Sequence, residues 1–235
     1  MTTETDATVL RMQDLVGRWT VTGDSRATFL SCYLLMTRNM LAAIERDEFH
    51  DPRWVHAFVA HFAGYYFAAL DGFEQGRSEA PAVWHVANAA AARPETFAIQ
   101  NLLLGVNAHI NYDLVLAVAD VLEREWQGLP APARAERHAD YCQVNAVISR
   151  TVDAVQEQVL EPQSPLLALA DRLCGGLDEW LISRLIADWR DEVWERAVRL
   201  LETTDDAERA DLRHATEQAA LARARAILLH SGQDA

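Results

Sequence analysis

The stretch LLLGVNAHINYDLVLAVA, residues 102–119, decides the fold. It is apolar except for Asn107, His109, Asn111 and Asp113, which stand at every second position. A helix that is hydrophobic on all faces is one surrounded by other helices. The reading is therefore all-α: a single multi-helix domain, residues 1–235, packed around a buried central helix at about residues 95–126. Buried polar groups are costly unless each finds a partner. The core must therefore answer an imidazole, a carboxyl group and two amides, which makes this stretch the candidate site.

Helical geometry splits the four into two pairs. Residues on a helix advance by about 100°, so positions four apart share a flank and positions two apart face away from each other. Asn107 and Asn111 form one flank, and His109 and Asp113 the other. An apolar stripe of Ile99, Leu103, Val106, Ile110, Leu114 and Ala117 runs between them. A carboxylate one turn from an imidazole orients the ring, fixes its tautomer and raises its basicity. That arrangement suits a general base or proton shuttle, so His109 and Asp113 are the catalytic candidates. Asn107, Asn111 and Asn145 are candidates to orient a substrate. Asn145 lies in the centre of an apolar stripe and needs a buried partner. His61 and Tyr65, one turn apart beside an aromatic helix face, would complete a polar pocket with them, and Trp84 would help wall it. Arg190, next to Trp189, flanks the buried stripe of its helix and reads as a solvated arginine, the alternative being a pair with a core carboxylate or a ligand anion. A carboxylate also supports metal-ligating histidines. The alternative is thus a zinc or iron site from His61, His85, His109 and Asp113, although no HExxH or ExxH spacing supports it.

Working outward, the first clear helix begins near Asp24, a candidate N-cap. The second begins at Asp51-Pro52, an N-cap followed by proline in the first turn. It carries Trp54, Val55, Phe58, Phe62, Tyr65, Tyr66 and Ala69 on one face. A short helix follows Pro81. QGLPAPARAE, residues 127–136, reads as a linker-like turn, followed by a helix over about 140–160. Ser164-Pro165 opens a short helix closed by Cys174-Gly175-Gly176. A long amphipathic helix spans 177–203. An outer helix over about 205–231 starts at Asp205, with Glu208 at capping-box spacing. No strand-like alternation occurs.

Composition narrows the function. Acidic residues outnumber basic ones by 35 to 21, a net charge of −14, which speaks against nucleic acid and anionic membranes as partners. All 21 basic residues are arginine. Without lysine there is no Schiff-base chemistry and no GxxxxGKS phosphate loop. Three scattered cysteines fit a reducing compartment. MTTETDATVL does not read as a signal peptide. The expected localisation is cytoplasmic.

The phrases DPRWVHAFVAHFAGYYFAAL, PAVWHVANAA, LLLGVNAHINYDL and DYCQVNAVI together resemble a bacterial, mainly actinobacterial, family of unknown function, domain of unknown function 5995. The resemblance covers about residues 45–200. It matches at Asp51, Trp54, Tyr66, Trp84, Asn107, His109, Asn111, Asp113, Asp140 and Asn145, and it implies a helical fold without an assigned chemistry. The functional expectation is an acid/base enzyme of secondary metabolism, without an organic cofactor, acting on a small, largely apolar molecule. Cyclisation, isomerisation, dehydration or hydrolysis would each suit it. The alternatives are a metal-dependent hydrolase and a non-catalytic binding or assembly module. A homodimer is compatible with the outer helix.

Overall fold

The computed structural model describes residues 4–77, 80–155 and 177–229, with side chains from 5–151 and 184–229 within those spans. Among them there are helices and no strands. In chain order they are α1 (Glu4–Thr22), α2 (Arg26–Glu45), α3 (Pro52–Glu74), α4 (Ala82–Ala91) and α5 (Ala98–Ala108). A π-helical turn (His109–Asp113) leads into α6 (Leu114–Glu123). Then come α7 (Ala131–Val155), α8 (Leu177–Glu202) and α9 (Asp206–Leu229). α5, the π turn and α6 run on as one element, Ala98–Glu123, and this is the buried central helix.

The other helices wrap it. α2, α4 and α9 pack on α5; α3 and α8 pack on α6; α3, α8 and α9 reach the π turn. Leu114 through Ala119 are all buried, so the first part of α6 is enclosed on every side. The stripe between the polar pairs behaves differently in α5, where Ile99, Leu103, Val106 and Ile110 are only half-buried. The polar positions lie deeper: Asn107 and Asp113 are 0% exposed, Asn111 1% and His109 6%. α2 and Ala98–Glu123 have the length and hydropathy to cross a membrane, but 83% of the window in Ala98–Glu123 is buried against other helices. A central helix of a bundle meets the same test.

Local sequence explains several boundaries. Pro52 occupies the first turn of α3, and the Asp51 side chain accepts from Trp54 N at 3.0 Å. Asp205 caps α9 by accepting from Glu208 N at 2.8 Å. Asp24 accepts from Arg26 N where α2 begins. At the end of α2, Asp47 adopts φ 53°, the left-handed conformation that ends helices. Two expectations are corrected. α1 is a helix where none was read. α7 starts at Ala131, so residues 124–130, with a 3₁₀ turn at Trp126–Gly128, separate it from α6, and the expected linker at 127–136 runs into the helix. The short helix expected after Ser164 lies outside the described residues.

At Gly105 the central helix meets Phe29 of α2. A Cβ there would sit 2.3 Å from Phe29 Cγ, inside van der Waals contact. The missing side chain lets Phe29 lie against α5 and reach His109.

Candidate active site

His109 opens the π turn and Asp113 closes it. Such turns recur at functional sites because they redirect side chains within an otherwise regular helix. His109 Nδ1 is 3.4 Å from Asp113 Oδ2, and that oxygen accepts from Trp84 Nε1 at 2.9 Å. Five rings enclose the imidazole. Phe62 stacks on it at 3.8 Å with 9° between planes, and Tyr33 lies at 4.2 Å. Phe29 meets it edge-on at 5.8 Å, with Tyr66 and Trp84 each at 6.5 Å. Phe62 itself ends a stack along α3, Trp54 on Phe58 on Phe62, whose ring planes are 3° and 11° apart.

This cage sets the electrostatics. Burial lowers the His109 pKa to about 3, so the ring is neutral. Burial also holds the Asp113 carboxyl well above its usual range, only partly opposed by the Trp84 hydrogen bond. The sequence suggested a carboxylate that makes His109 more basic. In the structure burial works against that effect, since it disfavours charge on both groups: the surrounding rings solvate neither an imidazolium nor a carboxylate. His109 Nε2 and Asp113 Oδ1 are both buried without a hydrogen-bond partner. The pair thus presents one unsatisfied ring nitrogen and one unsatisfied carboxyl oxygen.

Phe29, Tyr66 and Trp84 also line a crevice on their outer side, together with Ser25, Arg26, Asn88, Asn101 and Gly105. Its cavity is about 20 Å³, room for roughly one water. Asn101 Oδ1, buried and unpartnered, belongs to one of these lining residues.

The second polar flank braces the helix. Asn107 Nδ2 donates to Ala220 O on α9 at 2.9 Å, and Asn111 Nδ2 donates to Asn107 Oδ1 at 3.1 Å. Asn145 belongs to neither flank. Its Oδ1 accepts from Arg190 Nε at 2.7 Å, and Arg190 also donates to Tyr141 O and lies 4.1 Å over the Tyr141 ring. Arg190 is therefore buried, contrary to its reading as a solvated side chain. Neutral acceptors and an aromatic face hold it, which pins α8 to α7.

His61 and Tyr65 do not join the cage. Tyr65 donates to Asp120 Oδ2 at 2.5 Å, His61 Nε2 stands 3.6 Å from the same oxygen, and Arg213 approaches Oδ1 at 3.6 Å. This group lies at the surface, with the His61 side chain 44% exposed. His85 rests edge-on against Phe73. Of the four residues read as metal ligands, only His109 and Asp113 are neighbours; His61 and His85 lie in separate surroundings. No group of three or more His, Cys, Asp or Glu among the described residues is placed to hold a metal ion.

Sequence reading missed Phe29 and Tyr33 of α2 as cage residues. A signal existed: Phe29/Tyr33 and Phe62/Tyr66 are aromatic pairs four apart on their helices. Asp140 proves to be a capping residue from another helix. Its carboxylate accepts from His50 N at 2.6 Å and Asp51 N at 2.9 Å, which fixes the start of α3 on α7.

The chain belongs to the family of unknown function DUF5995, whose family model matches residues 5–230. That span extends well beyond the 45–200 read from the sequence and takes in α1 and α9. No curated protein and no solved structure matches the chain.

Proposed function

We propose that this protein is a small-molecule enzyme in which Asp113 and His109 relocate a proton on a largely apolar substrate. One observation carries the reading. Two neighbouring buried groups, His109 Nε2 and Asp113 Oδ1, lack partners inside an aromatic cage. Unsatisfied buried polar atoms are rare because each forfeits its hydration. A carbonyl or hydroxyl set between them satisfies both. Asp113, in its acid form, protonates one substrate atom while neutral His109 takes a proton from another. Transfer of the Nδ1 proton to Oδ2 across their 3.4 Å contact neutralises the imidazolium and carboxylate, and exchange with water after product leaves returns a proton to Oδ1 and frees Nε2. Pairs of titratable groups pushed apart by their surroundings are suited to such a division of labour. Isomerisation and dehydration fit this cycle directly. The substrate reaches the pair by displacing Phe29, Tyr66 or Trp84, the rings shared between crevice and cage.

The test uses D2O and a panel of small ketones, enones and hydroxy ketones. Deuterium incorporation at carbon is followed by proton NMR. Wild-type protein is expected to catalyse exchange in at least one class, and His109→Leu and Asp113→Asn to lower it by roughly 100-fold or more. Unchanged exchange in His109→Leu would sink the assignment. The small crevice favours a second reading, in which the pair only specifies the packing of the core. Folded variants that neither bind nor exchange any member of the panel, alongside an equally inert wild type, would favour that reading.

A further inference from the structure

A second polar cavity lies far in sequence from the caged pair. It has a volume of about 200 Å³ and is lined by Asn39 and Arg46 of the α2 end and by Val147, Arg150 and Thr151 of α7. Two guanidinium groups flank it in a chain whose acidic residues outnumber its basic ones. Thr151 is buried and already committed: its hydroxyl donates to Val147 O and accepts from Asn39 Nδ2 at 2.9 Å. The amide and hydroxyl thus form a fixed polar wall. Glu48, from the loop after α2, reaches both arginines. Its Oε1 accepts from Arg46 Nε at 2.7 Å and its Oε2 from Arg150 NH2 at 2.6 Å.

One carboxylate held by two guanidinium groups shows what the arginines recognise, since the planar guanidinium fork matches the oxygens of carboxylate and phosphate. Each arginine engages Glu48 through a single nitrogen and retains further donors. The side chains of Arg46 and Arg150 are more than half exposed. The Glu48 side chain is 19% exposed, while both arginines keep a solvent-facing side from which an anion of higher charge can compete with the carboxylate.

We propose that this cavity is a binding site for a phosphomonoester and that Glu48 is its internal competitor. A phosphate dianion offers three oxygens and about two charges where Glu48 offers two oxygens and one. It therefore gains more from the two arginines than the carboxylate it replaces. The cavity leaves space beside the arginines for a small organic group on the ester. The site is independent of the chemistry assigned to His109 and Asp113.

The proposal makes an unusual demand: removing a residue from the site must strengthen binding. Full-length protein is titrated against inorganic phosphate and phenyl phosphate at low ionic strength, with phosphorus NMR line width and calorimetry as readouts. Glu48→Gln is expected to bind both at least tenfold more tightly than wild type. Arg46→Gln or Arg150→Gln, added to Glu48→Gln, is expected to reverse most of that gain. Glu48→Ala serves as a second release variant. The proposal fails if both Glu48 variants bind phosphate no better than wild type, or if either arginine is dispensable. Acetate binding as tightly as phosphate would overturn the phosphomonoester assignment.

Discussion

Asp113 and His109 pull the pH dependence of stability in opposite directions. The folded-state pKa of Asp113 is raised above its ordinary 3.8. The stability it contributes is complete below that value and is lost as the pH rises through the folded-state pKa. His109 is lowered from 6.5 to about 3, so its contribution is complete above 6.5 and is lost as the pH falls toward 3. Asp113→Asn keeps an oxygen for the Trp84 indole and cannot ionise. Urea melts across pH should show it gaining stability relative to wild type as the pH rises from 4 to 8, because only the wild type must ionise a buried carboxyl. A wild type that outlasts Asp113→Asn at pH 8 would mean that the carboxyl is ionised in the fold. Gly105 offers a steric counterpart. Gly105→Ala puts a methyl group into Phe29, and overpacking of this kind costs roughly 1–3 kcal/mol. Phe29→Leu in the same chain should recover part of it, and a strictly additive double mutant would deny the contact. The proximity of His109 and Asp113 was legible in the sequence because four-residue spacing survives in almost any helix. Their charge state was not, because it depends on rings from α2, α3 and α4 that no local pattern brings together. Arg190 escaped for a related reason: nothing in its own neighbourhood announces that Asn145 and Tyr141 will desolvate it.

At the level of elements, helix starts were the most readable feature. Asp51-Pro52 and Asp205 act where their side chains suggested, since capping is decided within three or four residues. The π turn left no such mark, because HINYD contains nothing that an α-helix would refuse. α1 was passed over although Met12, Leu15 and Trp19 bury one face, for its polar first residues resemble a tail. Asp140 shows how far a cap can reach. It supplies from α7 the acceptors for the two backbone N–H groups ahead of α3, while Arg137, one turn earlier, bonds Asp51 and Glu125. Asp140→Ala strands both N–H groups and should cost on the order of 3 kcal/mol in a chemical melt. Asp140→Asn, which keeps an acceptor, should cost clearly less. Equal losses would show that charge, and not the hydrogen bonds, does the holding.

Across the whole molecule the apolar residues fall into two clusters. One gathers α1, α4, α5 and α9 with the early part of α2 and the C-terminal half of α3. The other gathers α6, α7 and α8 with the end of α2 and the N-terminal half of α3. Tyr112, in the π turn, packs against both. The caged pair thus lies at the seam between two cores, in an element that neither can give up. A continuous central helix transmits strain from one core to the other, because its backbone hydrogen bonds run through the seam without a loop. The described helices should therefore unfold as one cooperative unit. Asp140→Ala weakens the second cluster at its far end, and Asn107→Ala weakens the first by freeing Ala220 O. Hydrogen exchange followed by mass spectrometry should find either variant lowering protection in α1, α4 and α9 and in α6 and α7 by similar factors. Suppose instead that Asp140→Ala exposes the amides of α6 and α7 while α1, α4 and α9 keep wild-type protection. The seam would then be a boundary between separately stable units, and His109 would sit at a hinge.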